Sequence, residues 1–200
     1  MNSIFNFSSL ETDGVHTDDL IEGTRGNDTL FGTDGDDSMY GSTGDDVLQG
    51  GKGNDYVQGG RGADSVGGGQ GDDTLLGSAG NDTLHGGLGA DRLIGGNGAD
   101  VFSFTSITDS TVDAAGRDTV IFNNHQGDTI DLSAIDADVI ADGDQAFHLV
   151  NHFTGEAGQL TKVATAAGFM VEGDVDGDGQ ADFAIAVHTT TGLHDGDFVL

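Results

Sequence analysis

The sequence predicts an all-β fold: a parallel β-roll followed by an antiparallel, β-sandwich-like cap. Three observations carry this. From Gly23 to Ser103 the chain divides into nine consecutive nine-residue units without insertion or deletion. Each unit holds one apolar residue in fixed register. From Phe104 the glycine period fades and short apolar, β-branched runs replace it.

Within the units four positions are constant. Position 1 is glycine (Gly23, Gly32, Gly41, Gly50, Gly59, Gly68, Gly77, Gly86, Gly95), and so is position 4 (Gly26, Gly35, Gly44, Gly53, Gly62, Gly71, Gly80, Gly89, Gly98). Position 6 is aspartate: Asp28, Asp37, Asp46, Asp55, Asp64, Asp73, Asp82, Asp91 and Asp100. Position 8 is apolar: Leu30, Met39, Leu48, Val57, Val66, Leu75, Leu84, Leu93 and Phe102. Recurrent glycine lets the backbone turn tightly with its carbonyls on one side, so positions 1 to 6 read as a loop. Positions 7 to 9 read as a very short strand whose residue 8 faces inward, with 7 and 9 outward. Two units then make one coil, and the strands of alternate units stack into two facing sheets. A flexible glycine-rich linker would not hold an apolar residue in register through every unit.

The charge says what must accompany such a stack. Asp plus Glu number 35 against 6 Lys plus Arg, a formal net charge of -29. A compact fold needs something to neutralise this self-repulsion. Nucleic acid and an anionic membrane surface are excluded as partners, because both call for basic patches. The chain has no cysteine, so a thiolate metal site and a disulfide framework are excluded too. A hard cation fits the donor set: calcium takes six to eight oxygens, and a turn offering carbonyls plus one carboxylate supplies about half a shell, the next turn supplying the rest. The expected ligands are the nine position-6 aspartates and the loops around the nine position-4 glycines. Counting the gaps between successive units in each column gives an expectation of about seven calcium ions. No stretch approaches the length of apolar sequence that a transmembrane helix needs. Met1 to Leu10 lacks the features of a Sec signal, so export is expected by another route.

The pattern GGxGxDxUx, whole in Gly50-Gly51-Lys52-Gly53-Asn54-Asp55-Tyr56-Val57-Gln58, resembles the RTX repeat of type I secreted bacterial proteins; the same motif is a known calcium-binding β-helix repeat. Position 2 departs from it at Thr24, Thr33, Ser42 and Ser78, all small enough for the loop to survive. Fainter units flank the array. Gly14 to Glu22 keeps Asp19 and Ile21 in register, and Asp109 and Asp118 continue the spacing downstream with Val120 apolar. These read as worn caps, with Asp19, Asp109 and Asp118 as further candidate ligands. The expected organisation is therefore 1–22 as lead and cap, 23–103 as the roll, and 104–200 as a C-terminal β domain.

That last region resembles the C-terminal domain of serralysin-type metalloproteases in Arg117-Asp118-Thr119-Val120, Asp128-Thr129-Ile130-Asp131-Leu132-Ser133, Gly158-Gln159-Leu160 and Gly173 to Phe183. Thr161 stands where that family usually has arginine. The runs Thr119 to Phe122, Ile130 to Leu132, Ala146 to Val150, Phe169 to Val171, Phe183 to Val187 and Phe198 to Leu200 are expected strands. Asp174, Asp176, Asp178 and Asp182 lie in a stretch with the 1, 3, 5 carboxylate spacing and the position-6 glycine, Gly179, of an EF-hand-like loop, but Ile185 stands where the bidentate glutamate belongs. Both an additional calcium site and a plain acidic turn fit. The terminal Asp197, Phe198, Val199 and Leu200 resemble the uncleaved export signal of serralysin-type substrates of ABC-transporter (type I) secretion, and an edge strand fits them as well.

Enzymatic motifs are not found. The zinc signature HExxH is absent, and His148 and His152 have Leu149 where the glutamate must be. Ala63-Asp64-Ser65-Val66-Gly67 only echoes a nucleophile elbow, because Ser65 is position 7 of a repeat. His16, His85, His125, His188 and His194 are scattered. The resemblance thus implies a non-catalytic, secreted, extracellular module that is unfolded where calcium is scarce and folds when calcium fills the loops. Its alternatives are a calcium-dependent adhesin or polysaccharide-binding module, with Tyr40, Tyr56, Arg61 and Arg92 on the outer face, an accessory or secretion domain acting with a secreted metalloprotease, and a channel former, which no apolar span supports.

Overall fold

The structure, a computed structural model, describes residues 18–122, 126–141, 143–189 and 192–200. Met1 to Leu10, the start of the unit at Gly14, His16 and His125 lie outside the described residues.

The repeat generates strands β1 (Leu20–Glu22), β2 (Thr29–Asp34), β3 (Ser38–Thr43), β4 (Val47–Lys52), β5 (Tyr56–Arg61), β6 (Ser65–Gln70), β7 (Thr74–Ala79), β8 (Thr83–Leu88), β9 (Arg92–Asn97) and β10 (Val101–Ser103). After it come β11 (Thr119–Ile121), β12 (Thr129–Asp131), β13 (His148–Leu149), β14 (Gln159–Thr165), β15 (Gly168–Asp174), β16 (Phe183–His188) and β17 (Phe198–Val199). Two 3-10 turns, Ala114–Gly116 and Asp195–Asp197, are the only helical segments among the described residues.

The roll follows from the period: each strand pairs in parallel with the strand two further on. Leu48 pairs with Leu30 on one side and Val66 on the other. Odd strands form one sheet and even strands the other. The position-8 side chains of both sheets point between them and are buried, from Leu30 through Phe102. Full burial of such side chains contributes roughly 1.5–3 kcal/mol each.

The strands are longer than positions 7 to 9. In β4, Val47, Leu48 and Gln49 are joined by Gly50, Gly51 and Lys52 of the next unit, so the turn is confined to positions 4 to 6. The ladder skips position 1 and resumes at position 2, where Gly51 pairs with Gly69. Glycine at position 1 permits this kink. A Cβ on Gly50 would run into the carboxylate of Asp55 and the carbonyl of Gly68 in the next coil.

The antiparallel region is present, but it is a continuation of the roll's own sheet. The first sheet runs β1-β3-β5-β7-β9-β11-β16-β15-β14-β13 and the second β17-β12-β10-β8-β6-β4-β2. Val120 pairs with Leu93 on one side and Val187 on the other. Ile130 pairs with Phe102 and with Phe198. The apolar column therefore passes from repeat to non-repeat without a break, and no gap in the sheets falls at residues 103–104. Strands β14, β15 and β16 are antiparallel neighbours. Strand β14, Gln159–Thr165, has no apolar run in its sequence; pairing with β15 over its whole length defines it.

The period is first interrupted directly after the array. Residues 104–112 carry Phe104 and Ile107 where the turn needs glycine, and they loop out. Ser110 fastens the excursion, its hydroxyl donating to the Ala184 carbonyl at 2.6 Å and accepting from the Asp118 N–H at 2.8 Å.

Candidate metal centre

The turn at positions 4 to 6 puts each aspartate side chain inside the stack. The N–H of each position-6 aspartate donates to Oδ1 of the aspartate one coil further on. One column runs Asp19, Asp37, Asp55, Asp73, Asp91, Asp118, with bonds of 2.7–2.9 Å. The other runs Asp28, Asp46, Asp64, Asp82, Asp100, Asp128, with bonds of 2.8–3.2 Å. Asp28 to Asp100, Asp118 and Asp128 are all buried.

In nine of these carboxylates one oxygen is thereby used and the other is not. Oδ2 of Asp37, Asp46, Asp55, Asp64, Asp73, Asp82, Asp91, Asp100 and Asp118 is buried with no hydrogen-bond partner. Leaving a buried polar atom unsatisfied costs about 1–3 kcal/mol, more if it is charged. Two columns of such atoms are what a divalent cation would satisfy, so the residues present fit calcium. Asp28 differs. Both the N–H and the hydroxyl of Thr24 donate to its Oδ2, closing the first turn on itself.

Electrostatics give the same picture. Burial, only partly offset by the N–H of the preceding aspartate, pushes Asp73 up to about 8, Asp82 to about 7 and Asp37 to about 6, with neighbouring aspartates adding to the rise. Burial likewise raises Asp46, Asp55, Asp64 and Asp100. Asp118 is pushed to about 9 by burial and then by Asp91, with Asp109 and Asp73 contributing. Asp91 rises to about 6 through burial, with Asp72 and Asp109 adding and His85 opposing. Burial and mutual repulsion thus disfavour the charged form along both columns, and a cation between the coils would favour it.

The position-4 glycines set the turn. At Gly62 φ is +126°, and a Cβ would meet the Gly44 carbonyl. Its N–H donates to Ala79 O of the next coil at 3.0 Å, and Gly35, Gly44, Gly53, Gly71 and Gly80 make the equivalent bond. At Gly98 the side chain of Gln126 supplies the acceptor instead, at 2.7 Å.

Two placements differ from the spacing. Asp109 was expected to follow Asp91 in its column, and Asp118 to follow Asp100. Instead Asp118 follows Asp91 and Asp128 follows Asp100, because the segment around Asp109 loops out. Asp109 Oδ2 accepts from the N–H groups of Thr105 and Ser106 at 2.7 and 3.0 Å, as Asp28 does from Thr24. Asp128 was missed as a ligand candidate. Its signal was there: Ile130 stands two residues later, as the apolar residue stands after every column aspartate.

A second ladder, at position 5, was also missed. Asp18, Asn27, Asp36, Asp45, Asn54, Asp72 and Asn81 each accept, through Oδ1, the N–H of the residue one coil on, at 2.7–3.1 Å. Its side chains accept from the following coil, whereas the position-6 side chains accept from the preceding one. The two ladders clamp each turn from opposite directions. The frequency of Asn and Asp at position 5 was the available sign.

At the loop after β15, ligand atoms of Asp174, Asp176 and Asp182 lie within 4.8 Å of one another, and Asp178 is not among them. Asp178 accepts from Gln180. Asp174 accepts from Gly177 and Gly179, and Asp182 from Val175 and Asp176. These carboxylates are held by their own turn, unlike those of the columns. His148 lies on β13 and His152 in the following exposed turn. Ser65 is exposed on the outer face of β6.

A parallel β-roll with two columns of buried, half-satisfied aspartates defines a calcium-binding repeat module. The family comparison agrees. Four copies of the RTX calcium-binding nonapeptide repeat match, at residues 14–48, 31–66, 40–75 and 67–102. Residues 14–102 thus carry RTX calcium-binding nonapeptide repeats. No curated protein sequence matches the chain. Solved structures similar to it include the AlgE6R3 subunit of the Azotobacter vinelandii mannuronan C5-epimerase (22% identity, covering 94% of this chain and 81% of that one, TM-score 0.40). The AlgE6R2 subunit of the same enzyme shows 22% identity over 90% of this chain and 91% of that one, TM-score 0.42. The extracellular lipase LipA of Serratia marcescens shows 18% identity over 94% of this chain and 39% of that one, TM-score 0.37.

Proposed function

We propose that the chain is an extracellular module, without catalytic activity of its own, that folds when calcium fills the roll after type I export. The observation that carries this reading is the file of buried Oδ2 atoms without partners from Asp37 to Asp118. Without a cation the columns set unsatisfied, mutually repelling carboxylates against the burial of the apolar column. With it, the same carboxylates hold successive coils together. RTX repeat proteins are typically secreted. Loop affinities of about 10⁻⁴ to 10⁻³ M, as in extracellular modules, make calcium scarcity inside the cell and abundance outside a folding switch.

In this reading residues 23–103 form the ion-binding part and 104–200 the cap that carries the export tail. Asp197 to Leu200 act before folding. In the folded chain Phe198 is buried and β17 is hydrogen-bonded to β12, so a transporter would meet the tail free only while the chain is unfolded.

The test is circular dichroism of the purified chain in chelator, then in millimolar calcium or magnesium. Calcium should produce the β-rich spectrum. Magnesium should not, because it dehydrates reluctantly and demands a small octahedral cage. A stable β-fold in excess chelator at neutral pH would sink the reading.

A further inference from the structure

The columns do not stop where the repeats stop. We infer that each column binds one further calcium ion beyond the last nonapeptide, between Asp91 and Asp118 and between Asp100 and Asp128, and that these two ions staple the C-terminal region onto the roll. This rests on the calcium reading above and extends it to residues separated by 27 and 28 positions instead of 18.

The local geometry of the repeat is reproduced at both steps. Asp91 N–H donates to Asp118 Oδ1 at 2.9 Å, and Asp100 N–H to Asp128 Oδ1 at 3.2 Å. The residue after each new aspartate then returns a bond to the previous coil: Thr119 N–H to Asp91 O at 2.7 Å, and Thr129 N–H to Asp100 O at 2.8 Å. Val47 N–H makes the same bond to Asp28 O, at 2.9 Å, inside the array. The two following strands keep the apolar register, Val120 on Leu93 and Ile130 on Phe102.

The need for a cation is undiminished there. Oδ2 of Asp91, Asp100 and Asp118 is buried and without a partner, and Asp118 is wholly inaccessible to solvent. The looped-out Asp109 is a third buried acid, and its charge acts on both Asp91 and Asp118. No other step in either column gains an acid from an inserted loop among the described residues.

The consequence is mechanical. Asp118 leads into β11, which carries β16 and through it β15 and β14; Asp128 leads into β12, which carries β17. An ion at each step ties the first strand of each non-repeat extension to the last repeat of its column.

The experiment is calcium stoichiometry of the full chain by equilibrium dialysis and native mass spectrometry, for wild type, Asp118→Asn and Asp128→Asn. Asparagine keeps the Oδ1 acceptor and removes the charge. Each variant should lose one calcium ion per chain, and the double variant two, with the β-rich spectrum retained. At calcium levels that protect wild type, limited proteolysis should then cut within the C-terminal region first. Unchanged stoichiometry in both variants, with wild type binding calcium normally, overturns the inference and leaves the calcium reading intact. A wild-type chain that binds no calcium overturns that reading instead. Asp109→Asn guards against variants that do not fold, since it leaves every rung of both columns in place. It should weaken one ion several-fold, and an isotherm superimposable on wild type overturns the assignment of the Asp91–Asp118 gap.

Discussion

Removing the Asp64 carboxylate should destabilise the calcium-loaded chain about twice as much as removing that of Asp28, on the magnitudes that follow. Asp64 accepts from Asp46 and donates to Asp82, so it borders a gap on each side. Asp28 donates to Asp46 but receives no N–H from a preceding coil among the described residues, and Thr24 already occupies its Oδ2. At 10 mM calcium and a dissociation constant of about 10⁻⁴ to 10⁻³ M, each ion contributes roughly 1.4–2.7 kcal/mol. Asp64→Ala loses two ions and strands the buried Asp46 N–H, which costs about 1–3 kcal/mol more. The sum is about 4–8 kcal/mol, against roughly 2–4 kcal/mol for Asp28→Ala, which loses one ion and a bond to its own loop. Calcium titrations followed by circular dichroism give the midpoints, and thermal melts at fixed calcium give the stabilities. Asp64→Asn, which keeps the acceptor, should fall between wild type and Asp64→Ala. Equal midpoints for Asp64→Ala and Asp28→Ala would refute the column arrangement.

Acid should substitute for calcium. The folded carboxyls of Asp82, Asp73 and Asp118 lie at about 7, 8 and 9, above their unfolded value near 4. The unfolded chain therefore releases these protons first as the pH rises, and the metal-free fold loses stability between about pH 4 and the folded values. Structure in chelator, read by circular dichroism, should grow as the pH falls from 8 toward 5, while the calcium midpoint at the same pH values moves to higher calcium; a midpoint independent of pH would contradict this. Thr33 holds φ at +92°, a region that costs a β-branched residue roughly 1–3 kcal/mol, so Thr33→Gly should lower the calcium midpoint despite the greater freedom of glycine in the unfolded chain. A higher midpoint would show that the strain is absent. Asn54→Ala removes the acceptor for the Asp72 N–H in the second ladder and should cost about 0.5–1.5 kcal/mol in a thermal melt at saturating calcium. No change in melting temperature would mean that water replaces the bond at no cost.

The repeat itself was legible from the sequence because each of its constant positions answers a local demand. Gly62 is needed for a positive φ, Leu75 for the interior, and Asp64 for an oxygen ligand to a cation, and each demand recurs every nine residues without reference to distant chain. The sheets, the two columns and the case for calcium all follow from that local rule and its translation. The acidic run at Asp174 was legible as a turn but open as a site, and only the engagement of its carboxylates by Gly177, Gly179, Val175 and Asp176 tells it apart from the columns. What the tertiary structure decided begins where the period ends. Sequence counting places Asp109 beneath Asp91, yet Phe104 and Ile107 cannot make the glycine turn, so that segment leaves the stack and Asp118 and Asp128 move into the vacated rungs. Strand β14 and the union of the antiparallel strands with the roll are likewise products of pairing at long range: Thr161 meets Glu172, and Val187 meets Val120, across stretches that no local pattern connects. Local chemistry determined the coil; which segment closed each column depended on what could pack against its last exposed edge.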